Sequence, residues 1–83
     1  MELINKNKAL YISVDIDVVD PAYAPGTGYL EPGGLSSREL LYMLHRFKKL
    51  RNFNYLDVVE INPGKDLNEI TVKLGASIIR EML

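Results

Sequence analysis

Two short runs rich in strand-forming residues, ALYISV at Ala9–Val14 and YLDVVEI at Tyr55–Ile61, bracket a segment with every local signal of a helix. A strand, a helix and a second strand in that order almost always form a right-handed crossover with parallel strands. Both carboxyl ends then open onto one edge of the sheet. Such edges are where α/β sheets bind ligands. The same edge collects acids. Ser13-Val14-Asp15-Ile16-Asp17-Val18-Val19-Asp20-Pro21 places Asp15, Asp17 and Asp20 where the first apolar run stops, and Glu60 falls at the end of the second.

Side chains at i and i+2 of a strand share a face, so Asp15 and Asp17 are expected to point the same way, roughly 6–7 Å apart at a rise of about 3.3 Å per residue. Paired hard oxygen donors at that separation suit Mg²⁺ or Mn²⁺, and could serve two metals about 3.5–4 Å apart. The same pair also reads as a solvated strand end. Asp20, just before Pro21, faces elsewhere and reads as a loop-fixing residue. Glu60 taken alone is a solvated strand-end acid.

Pro21, Pro25, Gly26, Gly28 and Pro32 enforce an irregular stretch, and the loop from Ala22 to Leu35 is long for a plain connection. Ser36 and Glu39 form a capping box, with Leu35 and Leu40 placed as a hydrophobic staple. Leu40, Leu44 and Phe47, flanked by Leu41 and Met43, make the buried stripe of the helix. His45, the chain's one histidine, lies off that stripe and reads as an exposed helical residue. Positive charge from Arg46 to Arg51 answers the helix dipole, and Asn52 is a suitable terminator. In the second run Leu56, Val58 and Glu60 are expected on one face, with Tyr55, Asp57, Val59 and Ile61 on the other. After Asn62-Pro63-Gly64, Asp66 and Glu69 offer a second capping pattern for a helix over about Leu67–Leu83. Leu67, Ile70, Leu74, Ile78 and Met82 form one apolar stripe of that helix. Val72, Ala76, Ile79 and Leu83 form a second, which needs cover of its own.

At 83 residues the chain can bury only a thin core. Its net charge of −1 supplies no basic field for nucleic acid, and it has no cysteine for a disulfide or thiolate metal site. Met1–Lys8 is a polar lead-in, and no targeting, membrane, repeat or linker segment is read. A cytoplasmic setting is compatible with this.

SVDIDVVDPAYAPGTG, then EPGGLSSREL and DVVEINP, resembles the carboxyl-terminal third of the ureohydrolase family of arginases and agmatinases, most closely its agmatinase-type members. The resemblance runs from about Leu10 to the last residue and covers only part of the family's chain. It implies an α/β fold: a β-α-β-α piece of an arginase-like three-layer α/β/α domain with parallel strands, residues 1–83 forming a single partial domain. It further implies that Asp15 and Asp17 ligate a binuclear manganese centre and that Glu60 lies near the substrate's guanidinium group. The implied reaction is attack of a metal-activated water on a guanidinium carbon, releasing urea and an amine.

The family's G-G-D-H and D-A-H-x-D segments, which carry both histidine ligands and two further aspartates, are absent here. Tyr29 stands where the family usually has a small threonine, on the loop lining its substrate site. No general acid is assigned, and activity from this chain alone is not expected. A short reading frame, half of a split gene or an excised piece would each have this form, as would a non-catalytic remnant or assembly module. The expected partners are a guanidino compound once the site is completed, and either a second copy of the chain or the rest of a ureohydrolase. Self-association would stack the Val72, Ala76, Ile79 and Leu83 stripe, with Gly75 allowing close approach.

Overall fold

A computed structural model describes residues 9–50 and 53–83. Strand β1, Leu10–Asp15, and strand β2, Phe53–Val59, pair in parallel, with Ile12 opposite Leu56, Val14 opposite Val58 and Asp15 opposite Val59. Between them runs helix α1, Ser37–Lys48, and after β2 comes helix α2, Ile70–Met82. The β-α-β-α order and the parallel pair agree with the expectation. Both helices pack on one face of the sheet, and the core lies between. Val14, Ile16, Leu40, Leu44, Leu74, Ile78 and Met82 are buried there, with Ile12, Leu56 and Val58 packed against them.

The local signals at α1 act as read. Ser36 caps it, its hydroxyl accepting from the Glu39 N–H at 3.0 Å while the Glu39 carboxylate accepts from the Ser36 N–H at 2.8 Å. Leu40 and Leu44 are buried, and Leu41 and Phe47 are half-buried against them. Met1–Lys8, Arg51 and Asn52 lie outside the described residues.

The start of α2 differs from expectation. It begins at Ile70, because Asn68 and Glu69 both take left-handed backbone angles, with φ of 51° and 61°. Those two residues fold the chain back over Asp66, whose carboxylate accepts from the backbone N–H groups of Leu67, Thr71 and Val72 at 2.9, 3.0 and 2.9 Å. Asp66 thus serves the first turn of the helix from outside it, and Glu69 makes no side-chain cap. Leu67 and Ile70 fall away from the core and are exposed; Thr71 and Gly75 take the buried face with Leu74, Ile78 and Met82. Gly75 is therefore not on the outer stripe. A Cβ there would lie 2.6 Å from Ile61 Cδ1, so the glycine admits Ile61 to the helix. Ala76, Ile79 and Leu83 on the outer stripe are exposed and Val72 is half-buried.

Partial desolvation pushes the Asp66 carboxyl upward. The N–H groups of Val72, Thr71 and Leu67, with the Thr71 hydroxyl, outweigh that and bring its pKa down from 3.8 to about 2. A depressed carboxyl stabilises the fold fully above its unfolded value, and that contribution is lost as pH falls through the folded one. Acid titration followed by circular dichroism should therefore show stability falling between pH 3.8 and about 2, more steeply in the wild type than in Asp66→Asn. An equally steep limb in the variant would contradict this role.

The other face of the sheet carries no helix among the described residues. Tyr11 and Tyr55 stack across it with ring centroids 6.1 Å apart. Asp57 accepts from Ser13 Oγ at 2.6 Å and from the Tyr11 hydroxyl. Those two donors hold the Asp57 carboxyl below the usual carboxylate range.

Candidate metal and substrate site at the strand ends

Strand β1 stops at Asp15, and Ile16–Val18 form one turn of 3₁₀-helix. Asp15 and Asp17 therefore do not share a strand face. Strand pairing ends at Asp15, whose carboxylate caps the turn that follows, Oδ1 accepting from the Asp17 N–H at 2.9 Å, while Ile16 is wholly buried. The turn, rather than strand alternation, brings the two acids to the same sheet edge. Asp15 is exposed and Asp17 half-buried.

Asp20 does what its position before Pro21 implies. Its carboxylate accepts from the N–H groups of Ala22 and Gly33, both at 2.9 Å, which hold its pKa below the usual range. It ties together the two ends of the loop. The Asp20 N–H donates to the Leu35 carbonyl and the Leu35 N–H to that of Val18, each at 2.8 Å, closing the loop at its base.

Strand β2 ends at Val59, and Glu60 has a φ of 72°. Glu60 is thus not on the Leu56 and Val58 face, as strict alternation would have it. Its left-handed backbone turns the chain so that Ile61 pairs with Thr27 in an isolated antiparallel bridge and the Asn62 N–H reaches the Gly26 carbonyl at 2.7 Å. A positive φ at a residue other than glycine is uncommon, and such residues cluster at functional sites. Glu60 is exposed, one residue beyond Val59, the register partner of Asp15. All three expected site residues thus stand at the carboxyl ends of neighbouring parallel strands.

Reading along the sequence missed Thr27. It is 2% exposed, and its hydroxyl donates to Asp17 Oδ1. A threonine between two glycines in a proline-bounded loop was the available signal. Tyr29, two residues on, is 65% exposed and makes no part of the core. His45 is exposed on α1 and binds Glu81 of α2, Nε2 to Oε1, at 2.9 Å, far along the chain from the acids.

Carboxylate oxygens are the donors that Mn²⁺ and Mg²⁺ prefer. Among the described residues, the side-chain hydrogen bonds to both acids of the turn fall on Oδ1. The donor chemistry fits a hard divalent cation, while the donor number does not complete a cage: among the described residues no group of three or more His, Cys, Asp or Glu side chains is placed to hold a metal. Acids at the carboxyl edge of a parallel α/β sheet, joined by a capped turn and backed by a glycine-rich loop, stand where such sheets bind ligands.

The chain belongs to the arginase family, whose family model matches residues 1–83. It is 44% identical over 77 residues to the agmatinase of Bacillus subtilis, covering 92% of this chain and 27% of that protein. It is 49% identical over 76 residues to the proclavaminate amidinohydrolase of Streptomyces clavuligerus, covering 92% of this chain and 24% of the relative. The solved structure of a proclavaminate amidinohydrolase from that organism superposes with a TM-score of 0.84 over 89% of this chain and 25% of its own. That of formimidoylglutamase from B. subtilis, 32% identical, superposes with a TM-score of 0.88 over 93% of this chain and 24% of its own. The chain thus spans about a quarter of the length of these relatives.

Proposed function

We propose that the chain is the carboxyl-terminal part of a manganese-dependent ureohydrolase of agmatinase type, and that it needs further segments to act. The observation that carries this reading is the placement of Asp15 and Asp17 on a capped turn at the same sheet edge as Glu60, on a fold shared with the arginase family. Asp15 and Asp17 would hold the metal. Held there, manganese would supply an acidified water for hydrolysis of a guanidino compound to urea and an amine. Glu60, exposed at the edge, would attract and orient the cationic end of the substrate by charge and hydrogen bonding. The remaining ligands and the general acid would come from other parts of the enzyme, in the same polypeptide or a separate one.

A second copy of this chain, or the rest of the fold, would cover the outer stripe of α2 and the open sheet edges. A cytoplasmic location is proposed with this reading; among the described residues no helix is long and apolar enough to cross a membrane.

Two measurements test the site. Calorimetry with Mn²⁺ should give weak binding, abolished in Asp15→Ala/Asp17→Ala, because affinity rests on ligand number and a supporting shell that two carboxylates do not supply. Urea release from agmatine or arginine by this chain alone should be absent. Tight stoichiometric binding that survives the double substitution would remove the proposed ligands; manganese-dependent urea release lost in Asp15→Ala would show the site already complete.

A further inference from the structure

We propose that Thr27 is a positioning residue for the Asp17 carboxylate, and that the first turn of α2 holds Thr27 in place for that purpose. This rests on the reading of Asp17 as a metal donor. Asp17 sits on a single 3₁₀ turn, so its backbone leaves the side-chain rotamer open. What selects one rotamer is the hydrogen bond from the Thr27 hydroxyl to Oδ1. A hydroxyl on a residue 2% exposed needs a partner, and a carboxylate is the stronger kind of acceptor.

Thr27 is itself held from two sides. On one, Thr27 pairs with Ile61, and Gly26 accepts from the Asn62 N–H at 2.7 Å. On the other, the Gly26 N–H donates to Thr71 Oγ1 at 2.7 Å, a bond that is fully buried. Thr71, 0% exposed, is fixed in turn by its own N–H to Asp66 Oδ1. The approach is tight: a Cβ on Gly26 would lie 2.8 Å from Asp66 Cγ and 2.9 Å from Thr71 Cβ. An unbroken path therefore runs from Asp66 through Thr71 and Gly26 to Thr27 and Asp17. Asp15 lies off that path, since its Oδ1 is engaged by the Asp17 N–H within the turn.

The test is nuclear magnetic resonance on the full chain and on Thr27→Val and Thr27→Ser. Three-bond couplings from Asp17 Cγ to the backbone N and C′ report its rotamer without any metal. One rotamer is expected in the wild type and Thr27→Ser, and an average over several in Thr27→Val, with Asp15 unchanged. Line broadening by added Mn²⁺ at the two acids should show affinity falling by about 10-fold or more in Thr27→Val and recovering in Thr27→Ser, the size of effect that groups supporting a ligand produce. An Asp17 rotamer indifferent to Thr27→Val, or affinity unchanged when the rotamer averages, overturns the inference. Absence of any Mn²⁺ effect at Asp15 and Asp17 in the wild type removes the metal reading instead, and the rotamer still decides whether Thr27 orients Asp17. If Thr27→Val does not fold, the wild type decides alone: the hydrogen-bonded hydroxyl proton of Thr27 should exchange slowly and show a contact to Asp17, and its absence overturns the proposal.

Discussion

Ile78→Ala is expected to destabilise the fold by about 2–5 kcal/mol, the range for deleting a large aliphatic side chain from a core. Ile78 is 0% exposed and lies where α2 meets α1 and the sheet. Leu44 and Val14 of the same core cluster are held on α1 and β1, which limits collapse into the space it would leave. A chain of 83 residues has a total stability of roughly 4–12 kcal/mol at typical values per residue, so this loss would remove a large part of it. Urea denaturation followed by circular dichroism measures the effect. Lys73→Ala, on the exposed side of the same helix, is the control and should stay within about 0.5 kcal/mol of the wild type. Equal midpoints for the two variants would show that the core does not lie between α2 and the sheet.

Gly34→Ala is expected to cost about 1–3 kcal/mol, the usual penalty of forcing atoms into a packed site. A Cβ at Gly34 would lie 2.7 Å from the Asp20 nitrogen and the Val18 carbonyl oxygen, and 2.9 Å from the Val19 carbonyl carbon. These are backbone atoms and cannot swing aside. The pressure falls on the paired hydrogen bonds between Leu35 and the Val18–Asp20 segment, directly after the turn that carries Asp17. Beyond the shift in urea midpoint, amide exchange at Leu35 and Asp20 should therefore accelerate more than exchange within β1. Gly28→Ala, with open space around its would-be Cβ, supplies the contrast and should leave those two amides unchanged. Protection at Leu35 and Asp20 that persists in Gly34→Ala would show that the loop base yields elsewhere.

The parts of the fold legible in the sequence are those with local causes. Ser36 and Glu39 satisfy each other's backbone groups within four residues, so α1 began where its capping box placed it. The parallel pairing of β1 with β2 followed from a helix lying between two strand-forming runs. Asp20 before Pro21 served as a loop tie. Where elements ended was less legible. Asp15 and Asp17 alternate as strand residues would, yet the Asp15 carboxylate accepts from the Asp17 N–H and the strand gives way to a turn. Glu60 continues an alternating pattern, yet its partner contacts through Ile61 and Asn62 lie on a loop dozens of residues away. Asp66 takes the capping role that its spacing to Glu69 implied, yet left-handed Asn68 and Glu69 delay the helix to Ile70 and Glu69 adds no cap of its own.

The sequence by itself determined which residues carry charge to the sheet edge, that the strands run parallel, and that α1 has a firm start, since each of these follows from residue order and short-range hydrogen bonding. Its long motifs also pointed to the family to which the chain belongs. Only the tertiary structure decided how the acids are aimed. Thr27, Gly26 and Thr71 meet through contacts that span more than forty positions of chain, such as the Gly26 to Thr71 hydrogen bond at a separation of 45. No periodicity encodes such a contact. It arises because a buried hydroxyl and a buried N–H must be satisfied once packing has excluded water, and packing is a property of the whole fold.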